Sequence, residues 1–325
     1  MNLIFAVLPI TAGFLLDFII GDPYWLPHPI RLIGNLISAF EKATRKLFKN
    51  HLKFGGAVLA VLVLIISAGF PTVLLYFLYK LNFWLGIAAE CILCFYALAA
   101  KCLKNESMKV YKALEKGDTE EARKAVSMIV GRDTESLDEA GIARAAVETV
   151  AENASDGVCA PLFYIALGGA VGGFFYKAAN TMDSMIAYKN EKYDKIGFAA
   201  AKIDDFLNFI PSRLCAFLMI ISAGILRFDI KNAAKIWKRD RRKHASPNSA
   251  QTESVCAGAL GLRLAGDAYY FGELHKKQFI GDNLREIEPN DIRCANNLMY
   301  VSSVLMLLIS VIFRAAAALL LGIFY

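Results

Sequence analysis

Three stretches of the chain set ionisable and amide side chains at helical spacing beside apolar runs. In "YKAANTMDSMIAYKNE" (176–191), a turn of 100° per residue gathers Lys177, Asn180, Thr181, Ser184 and Tyr188 on one face, with Asp183 flanking Asn180. Asp205, Asn208 and Ser212 recur at i, i+3, i+7, with Asp204 beside them. In "ARAAVETVAENASDG" (143–157), Arg144, Glu148 and Glu152 recur at i, i+4, i+8, followed by Asn153 and Asp156. Glu148 and Glu152 repel at that spacing. A helix end at Gly157 would set Glu152 and Asp156 where the macrodipole disfavours anions. Carboxylates gathered against local preference imply a cation, either magnesium or a lysine such as Lys177. Ionisable groups this close to apolar segments are costly to keep, which makes them functional candidates. Interhelical hydrogen bonding and a solvated acidic face are the bland alternatives.

Two further stretches add to the set. "DFIIGDPYWLPHPIRLIGN" (17–35) carries Asp22, His28 and three prolines, which predict a short, stiff loop without helix. "HASPNSAQTESVCAGALGLRLAGDAYYFGE" (244–273) joins a Ser-Pro-Asn turn, with Ser246 and Asn248, to a small-residue helix.

The elements that must position these residues follow from composition. Hydrophobic residues make up 56% of the chain, charged ones 20%, and mean hydropathy is +0.42. The apolar residues come in blocks: 3–20, 54–79, 83–100, 157–176, 206–226 and 299–325. Each approaches the ~20 residues needed to cross a hydrocarbon core. The reading is all-α: a multi-spanning helical integral membrane protein, one domain over 1–325, with polar loops forming a cavity at the membrane face. The stretch 101–156 reads as successive amphipathic helices broken at Gly117–Asp118 and Gly131–Asp133, and no stretch shows the period-two pattern of a strand. Residues 157–176 hold Pro161 and five glycines, and 206–226 hold Asn208, Pro211 and Arg213, so both are poor ordinary spans. Irregular backbone at that depth is tolerated where it lines a wet cavity.

Net charge is +6, and residues 227–243 hold eight Lys/Arg against two Asp. Within the basic stretch 227–298, this run reads first as a positive-inside signal, which sets 21–53, 101–156, 227–298 and the active site on the cytoplasmic face of the cell membrane. The stretch 177–205 shares that face if 157–176 and 206–226 are re-entrant and lies opposite if both span. An anionic substrate is the second reading; nucleic acid is set aside because its recognition signatures are missing. The seven cysteines are scattered, and Cys91 and Cys94 lie inside an apolar run, against a zinc site or disulfide framework. Neither a G-x-x-x-x-G-K-[ST] loop nor a G-x-G-x-x-G fingerprint occurs, so any nucleotide is held by the scattered polar motifs.

In order along the chain, "GDPYWLPHPIRLIG", "RAAVETVAENASDG", "PLFYIALGG", "YKAANTMDSM", "DDFLNFIPSRL" and "HASPNSAQTE…AGALGLRLAG" closely resemble the adenosylcobinamide-phosphate synthase family (CobD/CbiB) of cobalamin biosynthesis. Where family members often read SPNAG and M-x-G-Y, this chain has "SPNSAQTE" and Met185-Ile186-Ala187-Tyr188. The resemblance implies a membrane ligase joining the free propionate carboxylate of adenosylcobyric acid, a corrinoid, to (R)-1-aminopropan-2-ol or its O-phosphate, with ATP as cosubstrate. Forming an amide through an acyl phosphate needs magnesium, cations to offset phosphate charge, and a base for the amine. Glu152, Asp156 and Asp183 are the expected magnesium side; Lys177, Arg144 and Arg213 balance phosphate; His28 or Asp205 is the base. Asn153, Asn180, Ser184, Asn208, Ser246 and Asn248 are expected to bind the cosubstrate. Membrane lipid is the implied surrounding, and a homo-oligomer is compatible with this reading. The competing readings are a magnesium-dependent membrane prenyltransferase, a non-enzymatic membrane sensor related to the family, and a transporter.

Overall fold

The computed structural model describes residues 3–21, 27–188 and 190–321; the expectation for Asp22 lies outside them. Among the described residues the fold is mainly helical, with four strands of two or three residues. Among the described residues, four helical runs are long and apolar enough to cross a membrane: Leu52–Leu81, Phe83–Glu115, Glu139–Ile186 and Asn290–Leu320. Phe198–Leu207 and Phe209–Ile225 pass that test only as a pair. Residues cluster into two compact units, one of 1–99, 160–208 and 307–325, the other of 100–159 and 209–306.

The first unit holds α1 (Ile4–Ile19), α2 (Pro29–Leu47), α3 (Leu52–Leu81), α4 (Phe83–Ala97), α8 (Ala160–Ile186), α9 (Phe198–Leu207) and the C-terminal part of α13 (Asn290–Leu321). α1 packs on α4, and α3 packs on both α4 and α8. At 16 residues α1 is about 24 Å long, short of the ~30 Å hydrocarbon core. The loop expected over 17–35 is shorter than the prolines suggested. α2 starts at Pro29, because proline at the first helical position gives up only an N–H that has no partner there anyway.

α8 breaks at Gly168–Gly169, where Gly169 takes φ 61°, ψ −155°, a conformation open essentially to glycine alone. Arg314 bridges this region, its Nη1 donating to the Ile165 carbonyl and its Nε to Ala6, both at 2.8 Å. Glu90, buried on α4, accepts from Tyr79 Oη at 2.6 Å. A Cβ on Gly169 would sit 2.5 Å from Glu90 Oε1. Gly169→Ala is therefore expected to cost about 1–3 kcal/mol of stability from the backbone alone, read as a lowered melting temperature in detergent.

The second unit holds α5 (Ala100–Glu115), α6 (Thr119–Ser127), α7 (Glu139–Asn153), a π-helical turn (154–159), α10 (Phe209–Ile225), α11 (Ile230–Asp240), α12 (Ser249–Leu260) and the start of α13. The three helices expected over 101–156 are α5, α6 and α7. The helix end expected at Gly157 is absent. Gly157 keeps negative φ, and the small residues Ala154, Ser155 and Gly157 let the turn widen to π geometry and run on into α8. Strands, unforeseen in the sequence, pair 264–265 with 279–280 and 268–270 with 273–275, runs too short for any alternation to register. Asp133 fastens the hairpin tip, its carboxylate accepting the N–H groups of Phe271 and Gly272.

At the centre of this unit lies α12, every residue of it buried. Small side chains permit this: a Cβ on Gly258 would stand 2.7 Å from Ala233 Cα on α11. Yet the helix carries Ser249, Gln251, Thr252, Glu253 and Ser254, each of which must find a partner or be held for a purpose.

Candidate functional site

In the first unit, the two polar stripes meet as their spacing implied. Tyr176 Oη donates to Asn208 Oδ1 at 2.8 Å, Asn208 Nδ2 to Asp204 Oδ2 at 3.0 Å, and Asn180 Nδ2 lies 3.5 Å from Asp204 Oδ1. The buried carboxylate is Asp204. Asp205, expected as a base, is half-exposed and ion-paired with Lys202 at 3.7 Å, because α9 turns its neighbour inward instead. Lys177 and Asp183 are half-buried on α8, while Ser184 is exposed and bonds back to the Asn180 carbonyl. His28 caps α2: its Nδ1 accepts the Ile30 N–H at 3.2 Å and its ring stands edge-on to Tyr96.

In the second unit, two cavities share a wall. A cleft of about 470 Å³ is lined by Phe209, Arg213, Arg241, Arg242, His244, Ala245, Pro247 and Gln251. Arg213 is held in place by Asn248 Oδ1 (2.9 Å) and the Phe209 carbonyl (2.7 Å), and its guanidinium lies 3.7 Å from the Phe209 ring centre. Asn248 also accepts from Ser212 Oγ, which joins three residues singled out in the sequence. Ser246 plays the turn role, its Oγ accepting the Asn248 N–H. Arg241 stacks on Trp237, and Gln251 locks both by accepting Trp237 Nε1–H and donating to the Arg241 carbonyl. Three guanidinium groups around one cleft suit a phosphate or carboxylate, which they can bind through paired hydrogen bonds.

Behind His244 lies a smaller pocket of about 150 Å³, lined by Arg132, Glu148, Thr149, Glu152, His244, Glu253, Ala265, Gly266, Tyr270 and Lys277. Glu148 pairs with Arg132, not with Arg144 as their spacing on α7 would allow, and it also accepts the Ala265 N–H at 2.6 Å. Glu152 accepts from Ser249 Oγ at 2.7 Å. Lys277 donates to Tyr270 Oη at 2.7 Å. Burial, then the charges of Glu152 and Glu148, pushes the Glu253 carboxyl well above its ordinary range. Burial likewise lowers His244, keeping it neutral at pH 7.

Of the residues expected on the magnesium side, Glu152 and Asp156 lie in this unit and Asp183 in the first; among the described residues no group of three His, Cys, Asp or Glu side chains could hold an ion. Asp156 is half-buried in the π-helical turn, Asn153 bonds back to the Thr149 carbonyl, and Arg144 has a buried Nε without an acceptor. Sequence reasoning missed Arg132, Asp204 as the inward carboxylate, His244, Glu253 and Lys277. Glu253 did leave a signal, as the one charge in the otherwise uncharged run 245–262.

A family model described as CobD/Cbib protein matches residues 10–299. The chain is 50% identical over 308 residues to the cobalamin biosynthesis protein CobD of Clostridium perfringens, covering 95% of this chain and 98% of that one. It is 46% identical to the protein of the same name from Pelobacter propionicus, over 97% and 96% of the two chains. Against that of Listeria monocytogenes serovar 1/2a the identity is 45%, over 90% and 93%. No solved structure matches the chain.

Proposed function

The chain belongs to the CobD/CbiB family, and from that premise we propose that it serves cobalamin biosynthesis as a membrane ligase. It joins the free propionate carboxylate of adenosylcobyric acid to (R)-1-aminopropan-2-ol or its O-phosphate, using ATP. The carboxylate attacks the terminal phosphorus and ADP leaves. The amine nitrogen then attacks the acyl carbon, the bond from that carbon to the phosphate oxygen breaks, and the nitrogen gives up a proton.

The observation that carries this reading is the basic cleft of Arg213, Arg241 and Arg242, bordered through His244 by a carboxylate-lined pocket. Such a cleft stabilises the charge that builds on transferring phosphate oxygens. A magnesium ion held by protein alone does not fit the described residues. Magnesium commonly takes one or two carboxylates together with substrate phosphates and water, so it belongs here to MgATP, with Asp156 the carboxylate proposed beside it. Lys177, Asn180, Asp183 and Asn208, on the first unit's polar stripe, are residues that the family resemblance implies for the reaction, on the cytoplasmic face of the membrane.

Detergent-purified protein given adenosylcobyric acid, the aminopropanol phosphate, Mg²⁺ and ATP should form the amide, seen as a gain in corrinoid mass. No ATP-dependent product from a folded, corrinoid-binding preparation would sink the reading. Asp183→Asn is expected to abolish turnover while leaving the protein inserted; near-normal activity would remove Asp183 from the site.

A further inference from the structure

We propose that the pocket around Glu253 is the seat of a small primary ammonium, counter-charged by Glu152 and Glu253. This rests on the amide-forming reading and names where the amine of that reaction sits. The first ground is an unmet hydrogen bond. Glu253 is 95% buried (5% exposed), and its Oε2 is buried with no donor. Ser249, Gln251, Thr252 and Ser254, the other polar side chains of α12, all have partners. A carboxylate oxygen stranded in this way costs stability unless something binds it.

Charge is the second ground. The pocket wall carries three carboxyl groups against Arg132 and Lys277; burial and the charges of Glu152 and Glu148 oppose the ionisation of Glu253, and a bound ammonium would offset that opposition. Arg132 is spent on Glu148, whose second oxygen takes the Ala265 N–H. Lys277 donates to Tyr270. Glu152 and Glu253 are left as the carboxylates to be matched.

Size and donor geometry choose the cation. The pocket of about 150 Å³ leaves room for a short amino alcohol. A primary ammonium offers three N–H donors to a wall rich in acceptors. A divalent metal needs converging ligands that the described residues do not supply.

The test uses the full chain in detergent, titrated calorimetrically with (R)-1-aminopropan-2-ol and, separately, with the uncharged (R)-propane-1,2-diol. The amine should bind at least tenfold more tightly than the diol, and Glu253→Gln should erase most of that preference. Should Glu253→Gln fail to fold, Glu152→Gln carries the same expectation. Absent amine binding, equal binding of amine and diol, or a wild-type preference in both variants overturns the assignment. So does displacement of the amine by Mg²⁺ alone, which would make the pocket a metal site. If the wild type forms amide and Glu253→Gln leaves the KM for the amine unchanged, the seat is wrong and the ligase reading stands. If the amine binds through Glu253 but no amide ever forms, the seat stands and the ligase reading falls.

Discussion

Replacing Arg241 and Arg242 together by glutamine is expected to lower amide formation by about 10²–10³-fold, the scale seen when a preorganised donor to developing charge is removed. Both guanidinium groups line the basic cleft, and Arg242 is exposed, so the fold loses little. Glutamine keeps an amide donor but removes the charge, the paired-donor fork and Arg241's stacking on Trp237. The loss should fall on the ATP-dependent step: kcat drops, and the KM for ATP rises. The melting temperature should stay close to that of the wild type, since surface substitutions away from buried networks usually cost under about 0.5 kcal/mol. Unchanged kinetics would mean that phosphate is handled elsewhere and that the basic run 227–243 serves membrane orientation alone.

The second large effect is structural. Asp240→Ala should destabilise the protein by about 3 kcal/mol, the low end for breaking a buried ion pair because the partners can partly rehydrate. Asp240 has no exposed surface. It accepts from Arg239 at 2.7 Å on both oxygens, from Lys243 at 2.8 Å and from the Gly281 N–H at 2.8 Å, and so ties α11 to the strand at 279–280. Burial opposes its ionisation, yet Arg239, Lys243 and the Gly281 N–H together hold it well below the usual carboxylate range. Its stabilisation is therefore complete above the ordinary carboxylate pKa of about 3.9 and fades as pH falls through the depressed native value. Thermal melts in detergent at neutral pH, and again down an acid series, read both parts. A wild-type Tm for Asp240→Ala at neutral pH would show that the network carries no stability.

Much of this was legible in the sequence because helices announce themselves by period. The blocks of apolar residues became α3, α4, α8, α10 and α13, and Glu152 stood out through its i, i+4, i+8 face on α7. The polar stripes of α8 and α9 met through Tyr176 with Asn208 and Asn180 with Asp204. What failed had physical reasons. Asp204 and Asp205 are adjacent, and only the packing of α9 decides which turns inward. Arg132 and Lys277 come from a loop and from the strand region, 16 residues before and 129 after Glu148, where no periodicity connects them. A lysine or arginine in such places looks like any solvated charge until the chain folds back.

His244 forms part of both cavity walls. Occupants on its two sides cannot be thermodynamically independent if each perturbs that imidazole, whether by moving the ring or by altering its proton affinity. Linkage then requires reciprocity: whatever factor an anion in the cleft imposes on the affinity of a cation in the pocket, the cation imposes in return on the anion. One ring between two chambers thus makes the order of substrate addition a matter of rates, while the fully loaded state has a single free energy reached by either route.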